Sequence, residues 1–201
     1  MKSLPDQSND LPPMALKLRI DKITTEETIP LRQSVLWPTM PPSHHYIRLA
    51  EDATGTHYGA FLPLRETPVA VVSLFLEDIP LSRDDHGHDT ETNLIKSEDS
   101  NSTIISGDED GYIVRPVQPA QRTVRFRKFA CDHEFQGKGI GTQLLAHILS
   151  RARTELDAAT VWCDARVITR GWYIKRGLVP FGPTFYKLEA PEEYIRMRID
   201  F

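Results

Sequence analysis

Two cysteines, Cys131 and Cys163, are all that the 201 residues contain. That is too few for a secreted disulfide framework. Both thiols stand in apolar, strand-like surroundings where buried free cysteines are common, so structural thiols are a simpler reading than a catalytic one. Long apolar runs are missing as well. Nothing approaches the ~18 consecutive apolar residues of a membrane span, and the polar start MKSLPDQSND has no signal-peptide core. A cytoplasmic protein is expected, with the nucleus left open and no membrane partner. Excess positive charge is absent too: the net charge is −4 and no basic stripe is evident, which argues against nucleic acid as a partner. The apolar content of 40% suits a globule. A chain of this length removes about 70% of its unfolded surface from water, so one domain is the default.

The charge is unevenly spread. From Ser82 to Gly111 there are nine carboxylates against Arg83 and Lys96, which puts that stretch at −7 and the remaining residues at about +3. The stretch has few aromatic or β-branched residues with which to build a core. It reads as an acidic, disordered insertion at about 82–111. A solvated loop accounts for it, because closure entropy rises slowly with length; a lid that draws cationic substrates is the sharper alternative. His86 and His88 lie among aspartates there, but incidental histidines explain them and no metal is expected. Residues 1–14 read as a flexible tail.

Elsewhere the chain alternates strand and helix signals. ALKLRI, HYGAFLP and VAVVSLFLE have strand patterning, the last two as a hairpin. Thr24 and Glu27 have capping-box spacing, while Pro30 predicts that regular helix begins nearer Thr28, with Leu31, Val35 and Leu36 on its apolar face. The proline-rich WPTMPPSHHY follows. TVRFRKFAC reads as another strand, VITRGWYIKR as a helix closed by Gly177, and IRMRI as the last strand.

The densest signal is QGKGIGT at 136–142, directly ahead of QLLAHILSRA. Leu144, Leu145, Ile148, Leu149, Ala152 and Leu156 recur at helical spacing, so the order is strand, glycine loop, helix. A glycine loop at a helix start leaves backbone N–H groups pointing outward at the positive end of the helix dipole, and lets an anion approach the main chain closely. That is a phosphate site, with Lys138 adding a cation. A Walker loop fails because no Lys-Ser/Thr pair follows the last glycine. A dinucleotide fingerprint fails on glycine spacing and on the acidic residue due about 20 residues later.

The pattern that fits is Gln/Arg-x-x-Gly-x-Gly/Ala. RKFACDHEFQGKGIGTQLL, followed by WCDARVITRGWYIKRGL with its Tyr-x-x-x-Gly-apolar element, closely resembles the GNAT superfamily of acetyl-CoA-dependent N-acetyltransferases. The resemblance covers about residues 15–201 and is firm from Thr123 to Phe181. It implies an α/β fold, a mixed α+β sheet that splays between its two central parallel strands and is flanked by helices, as a single domain over 15–201. It also implies acetyl-CoA as co-substrate and a primary amine as acceptor, from a small molecule or a peptide, in a monomer or homodimer.

Residue by residue, the resemblance places Phe129, Ala130 and Cys131 along the pantetheine arm, where a strand N–H stabilises the thioester oxygen as charge develops. Gln136, Gly137, Lys138, Gly139, Ile140, Gly141 and Thr142 hold the pyrophosphate. Tyr173 stands beside the thioester sulfur as the catalytic acid. Many relatives have an Asn after the fifth strand; here Ala165 and Arg166 occupy that place, and Arg166 is assigned to a phosphate instead. Trp37, Arg125 and Arg127 are candidate acceptor contacts, the arginines favouring an anionic group; ordinary packing and salt bridges are the alternative for all three. Met40, His44 and His45 stand in the same region as Trp37.

Protein-lysine acetylating relatives carry a carboxylate on the strand before the loop. Here that strand offers Arg125, Arg127 and Lys128, leaving only a water relay to Asp132, His133 or Glu134. A lysine-like amine is neutral about one time in a thousand at pH 7.4, a cost of ~4 kcal/mol, whereas an α-amine loses under ~1 kcal/mol. The small, low-pKa amine is therefore the leading acceptor. A peptide acceptor and a catalytically silent acyl-CoA-binding module are the alternatives.

Overall fold

The computed structural model describes residues 17–80, 107–108, 111–112, 122–188 and 190–201. The expected tail at 1–14 and nearly all of the expected acidic insertion lie outside the described residues. At the end of the insertion, β4 (Gly107–Asp108) pairs antiparallel with β5 (Gly111–Tyr112). The remaining strands form one seven-stranded mixed sheet in the order β1-β2-β3-β6-β7-β9-β8, flanked by helices. By packing, the chain divides into two compact units, 1–75 with 126–152 and 76–125 with 153–201.

In the first unit, β1 (Arg19–Ile23) runs antiparallel to β2 (Thr56–Phe61), and β2 to β3 (Ala70–Leu76). The strand expected over ALKLRI lies later than that reading placed it. Its partner sets the limits: Arg19 pairs with Phe61 and Ile23 with His57. The first helix departs from expectation in the other direction. α1 (Thr25–Leu31) starts at Thr25 and encloses Pro30. The capping box decides this, because the Thr24 hydroxyl accepts from the Glu27 N–H at 3.3 Å while the Glu27 carboxylate accepts from the Thr24 N–H at 2.7 Å. Pro30 removes one donor without ending the helix. Just beyond it the Arg32 N–H is shared between the Thr28 and Ile29 carbonyls, and the chain widens into a π-turn over Arg32–Leu36.

That π-turn buries an arginine completely. Arg32 donates to the Ile47 carbonyl at 2.9 Å, to both Asp52 carboxylate oxygens at 2.8 and 3.0 Å, and to Ser73 Oγ at 2.7 Å. His57 closes the cluster through Nδ1 to Ser73 Oγ at 2.7 Å and Nε2 to the Asp52 carbonyl at 3.0 Å. A buried guanidinium is tolerated only with such a set of partners.

α2 (Ile140–Glu155) buries Ile140, Leu144, Leu145, Ile148 and Ala152, the stripe its spacing predicts; Leu149 and Leu156 are half-buried. β6 (Thr123–Cys131) contributes its last six residues to this unit and contains a break. Lys128 has φ +56°, in the left-handed region that L-residues avoid. A positive φ interrupts the extended geometry of the strand at that point. Phe126 and Phe129, which a regular strand would place on opposite faces, meet edge to face at 6.3 Å, while Ala130 joins a small core with Leu31 and Val71.

In the second unit, β7 (Thr160–Arg166) lies antiparallel to β9 (Glu193–Asp200), and β9 to β8 (Val179–Tyr186). The parallel ladder between β6 and β7 has three pairs, Thr123–Arg125 against Thr160–Trp162. Trp162 is fully buried and donates Nε1–H to the Glu77 carbonyl at 3.0 Å. α3 (Arg170–Ile174) and the turn after it end in a Schellman motif: Gly177 N–H donates to Ile174 O at 3.0 Å and Leu178 N–H to Tyr173 O at 3.2 Å, with Gly177 at φ +87°. Among the described residues, no helix is long and apolar enough to cross a membrane.

Asp52→Ala should destabilise the protein by about 3–5 kcal/mol, because it strands a buried guanidinium. Glu26→Ala, which breaks an exposed pair with Arg48, should cost far less. Urea unfolding of both variants checks this. Burial also holds the His57 imidazole below its ordinary value. The unfolded chain therefore takes up the proton first, so this contribution is present above about pH 6.5 and is lost as the pH falls below it. The urea midpoint should drop from about pH 7.5 to 5.5, and less steeply in His57→Gln.

Candidate active site

The glycine loop lies in the first unit between β6 and α2. Gly137 and Gly139 have φ +74° and +81°, and a Cβ added at either would meet nothing within 4 Å. Both positions thus call for glycine by conformation, and the space beside them is open to a ligand. The first helical bond of α2 runs from Gln143 N–H to Gly139 O at 3.1 Å. An α-helix leaves the amides of its first turn without intrahelical carbonyl partners. Ile140 is buried beneath the loop and anchors it, whereas Gly141 and Thr142, expected within the loop, form the first turn of the helix. A cradle of this kind, at the positive end of a helix with sixteen residues, fits a pyrophosphate.

Two side chains of the loop are engaged locally. Gln136 Nε2 donates to the Cys131 carbonyl at 2.9 Å and lies 3.3 Å from His133 Nδ1, so it ties the loop to the end of β6. The Lys138 ammonium lies 5.1 Å above the Phe135 ring, on the exposed side. At the strand end itself, Ala130 is buried, Phe129 and Cys131 are half-buried, and the Asp132 N–H donates to the Val69 carbonyl at 2.9 Å. Burial raises the Cys131 thiol, and raises that of fully buried Cys163 much further. Neither is a reactive thiolate. Asp132 caps a short turn by accepting from Glu134 N–H at 3.0 Å.

The expected acceptor residues have separate settings. Trp37 stacks on Tyr46 with ring centroids 5.6 Å apart, and the Lys128 ammonium lies 4.1 Å from the Trp37 centroid and 5.7 Å from that of Tyr46. Arg127 reaches Glu51 at 3.7 Å and lies over Phe75. Arg125, in the second unit, is held by Glu77 and Asp164 and lies 4.4 Å over Trp162. Arg166 ends β7 and pairs with Glu192 at 3.3 Å. Sequence reasoning weighed Lys128 only as a strand residue that supplies no base, and did not weigh Tyr46. The signal for Lys128 was a third cation at a strand position where alternation asked for an apolar side chain.

Tyr173, also in the second unit, is buried on α3 with its ring 4.9 Å from that of Trp172. Burial pushes its phenol well above the ordinary value, with a smaller contribution from Cys163. The hydroxyl stays protonated throughout the neutral range.

Comparison with known proteins turns this geometry into a family. The acetyltransferase (GNAT) domain matches residues 86–200, more than half of the chain. The chain belongs to the GNAT acetyltransferase family. Acyl transfer from coenzyme A is the chemistry of that family, and this GNAT protein is an acyl-CoA-dependent acyltransferase. A search of curated protein sequences finds no match. Solved structures share the fold at low identity. An acyl-CoA N-acyltransferase from Pseudomonas aeruginosa is 16% identical, with a TM-score of 0.57 over 90% of this chain and 99% of that one. A spermidine N-acetyltransferase chimera of Vibrio cholerae SpeG and hSSAT is 14% identical, with a TM-score of 0.55 over 91% and 95%. A chain from the NatC complex bound to Gag peptide and CoA is 10% identical, with a TM-score of 0.56 over 92% and 99%.

Gly139→Val should weaken CoA binding much more than Lys138→Ala. The valine side chain enters the open space beside the loop and disfavours φ +81°, whereas Lys138 contributes one exposed charge. Calorimetry with CoA on folded variants checks the ranking, and equal affinities for parent and Gly139→Val would remove the loop from the site.

Proposed function

We propose that this GNAT protein is an N-acetyltransferase that moves the acetyl group of acetyl-CoA to a primary amine of a small molecule by direct attack. The observation that carries the proposal is the loop of Gly137 and Gly139, both at positive φ with open space beside them, at the start of α2. Acetyl-CoA supplies the acyl group and a thiolate leaving group. The loop amides, with Gln136, Lys138, Ile140, Gly141 and Thr142, would bind the pyrophosphate, and Arg166 is a further phosphate contact. The backbone at Phe129, Ala130 and Cys131 would take the pantetheine arm and donate an N–H to the carbonyl oxygen as negative charge develops there.

The small amine is favoured by what β6 lacks. Its polar residues are cations and a threonine, and the nearby Asp132 is engaged in a cap. With no carboxylate poised on that strand to remove a proton, an acceptor that is already neutral at working pH is the easier one. The NatC likeness supports a peptide acceptor as the second reading, and an N-terminal α-amine would satisfy the same argument. Thiol release across amines and peptides tests the proposal. Tight acetyl-CoA binding with no thiol release on any acceptor would show a binding module instead.

Tyr173 is the residue proposed as the acid for the departing sulfur, to which its hydroxyl would donate. Tyr173→Phe keeps the packing and should lower kcat by ~10² or more with acetyl-CoA affinity nearly unchanged. Because burial raises this phenol, its ionisation should cause no alkaline loss of kcat below about pH 10. Parental turnover in Tyr173→Phe, measured where chemistry limits the rate, would remove the residue from the mechanism.

A further inference from the structure

We infer that Arg65, in the turn between β2 and β3 and outside the glycine loop, is a further coenzyme-binding residue that pairs, beside Lys138, with a phosphate group of CoA. The inference rests on reading the glycine loop as the coenzyme site and adds a second element to it. All of the observations lie in the first unit. Pro63 and Leu64 form a tight turn closed by Arg65 N–H to Leu62 O at 3.1 Å, with Leu64 at φ +64°. The Arg65 guanidinium then lies 4.8 Å from the centroid of Phe135, the same ring over which the Lys138 ammonium lies at 5.1 Å. Backbone bonds tie the two elements together: Asp132 N–H donates to Val69 O and Phe135 N–H to Asp132 O, both at 2.9 Å. Gly137 and Gly139 stand on either side of Lys138, and a Cβ at either would meet nothing within 4 Å. Two cations from separate elements thus converge on one ring at the edge of an open loop.

The charge around this ring is unbalanced. Arg19, Arg32, Arg48 and Arg127 of the same unit each face a carboxylate. Among the described residues, Arg65 and Lys138 have neither an ion pair nor a side-chain hydrogen bond, although Glu66 and Glu134 stand next to Arg65 and Phe135 in sequence. Both cations are exposed, so water weakens their repulsion. Their distances to one centroid still keep them within about 10 Å of each other, about one Debye length at 0.1 M salt. An incoming anion relieves that repulsion, whereas a cationic ligand would add to the charge already over the ring. A phosphate suits the pair because its several oxygens accept from a guanidinium fork and from an ammonium at once.

The coenzyme proposed for the loop carries phosphate in two places, and the test separates them. One is the pyrophosphate; the other is the 3′-phosphate of the adenosine, a monoester with a charge of about −1.5 to −2. Calorimetry would compare CoA with dephospho-CoA, which lacks the 3′-phosphate, on the parent and on Arg65→Gln, Arg65→Glu and Arg65→Lys. Arg65→Gln should lose about threefold to tenfold in CoA affinity, Arg65→Glu more, and Arg65→Lys should keep most of it. The loss should shrink as salt rises from about 0.05 to 0.5 M, because exposed charges are screened. A loss seen with CoA and absent with dephospho-CoA identifies the 3′-phosphate. An equal loss with both identifies the pyrophosphate.

Unchanged CoA affinity in Arg65→Gln and Arg65→Glu overturns the inference, and so does a loss that ignores salt and is not restored by lysine. That second pattern would mean that Arg65 only packs on Phe135. Parental CoA binding that is weakened by Gly139→Val and unaffected at Arg65 removes Arg65 alone and leaves the loop as the coenzyme site. A parent that binds no CoA overturns both. Salt-sensitive losses at Arg65 with no thiol release on any acceptor support the inference and sink the transferase reading.

Discussion

An L-residue held at positive φ inside a strand costs about 1–3 kcal/mol and persists only where its neighbours over-determine it. β6 carries such a residue at Lys128, and much of the first unit follows from it. Around it Phe129 meets Phe126, Ala130 packs with Leu31 and Val71, and the lysine ammonium lies over Trp37 and Tyr46. Three residues further along the chain the strand ends in Cys131, whose carbonyl accepts from Gln136 and so joins the strand to the glycine loop. The strand that carries this lysine thereby meets both the core and the glycine loop.

Charge in this protein is arranged in two quite different ways. Arg32, Asp52, His57 and Ser73 form a closed, buried set in which nearly every polar atom has a partner, so the set fixes structure and offers nothing to a ligand. Arg125 plays the corresponding part in the second unit, between Glu77 and Asp164 and over Trp162, with Lys187 also 2.9 Å from Asp164. Cations spent on buried carboxylates hold the sheet together. Two further cations, Lys138 on Phe135 and Lys128 on Trp37, lie over aromatic rings.

The sequence was most legible where a local rule decides the conformation. Glycines at alternate positions before an apolar stripe announced the loop and α2, and Gly177 after WYIKR announced a left-handed cap, which is a Schellman turn. The capping box at Thr24 and Glu27 was visible too, but Pro30 was given too much weight: proline removes a single donor, and the π-turn that follows absorbs the change. What could not be read is what depends on distant partners. Nothing near Arg32 in sequence predicts Asp52, His57 and Ser73, which arrive 20 to 41 residues later. The same holds for Lys128, whose strained backbone is imposed by a sheet and whose ring partners come from the loop after α1. In the candidate site, the conformation of the loop was readable from its glycines, whereas the engagement of Arg125 and Arg127 with carboxylates was not, because ion pairs across a sheet leave no spacing signature.

Burial of Tyr173 bears on how the proposed reaction can conserve its protons. A phenol near 10 is already a weaker acid than a thiol near 8.5, by ~2 kcal/mol, and burial raises the phenol further. Outright donation of the Tyr173 proton to a free thiolate is therefore uphill, and a hydrogen bond from its hydroxyl is the role the residue can sustain at neutral pH. The amine, for its part, must shed one proton as the new C–N bond forms, and β6 offers no carboxylate to receive it. The two shortfalls answer each other. Nitrogen gives up one proton and sulfur needs one, so the proposed reaction is balanced if the first proton reaches the second atom, and a tyrosine that took part would have to recover its own proton with each turnover. On this account a buried tyrosine with a raised pKa is better suited than an acidic one, because an ionised phenolate would lose the donor that the sulfur requires.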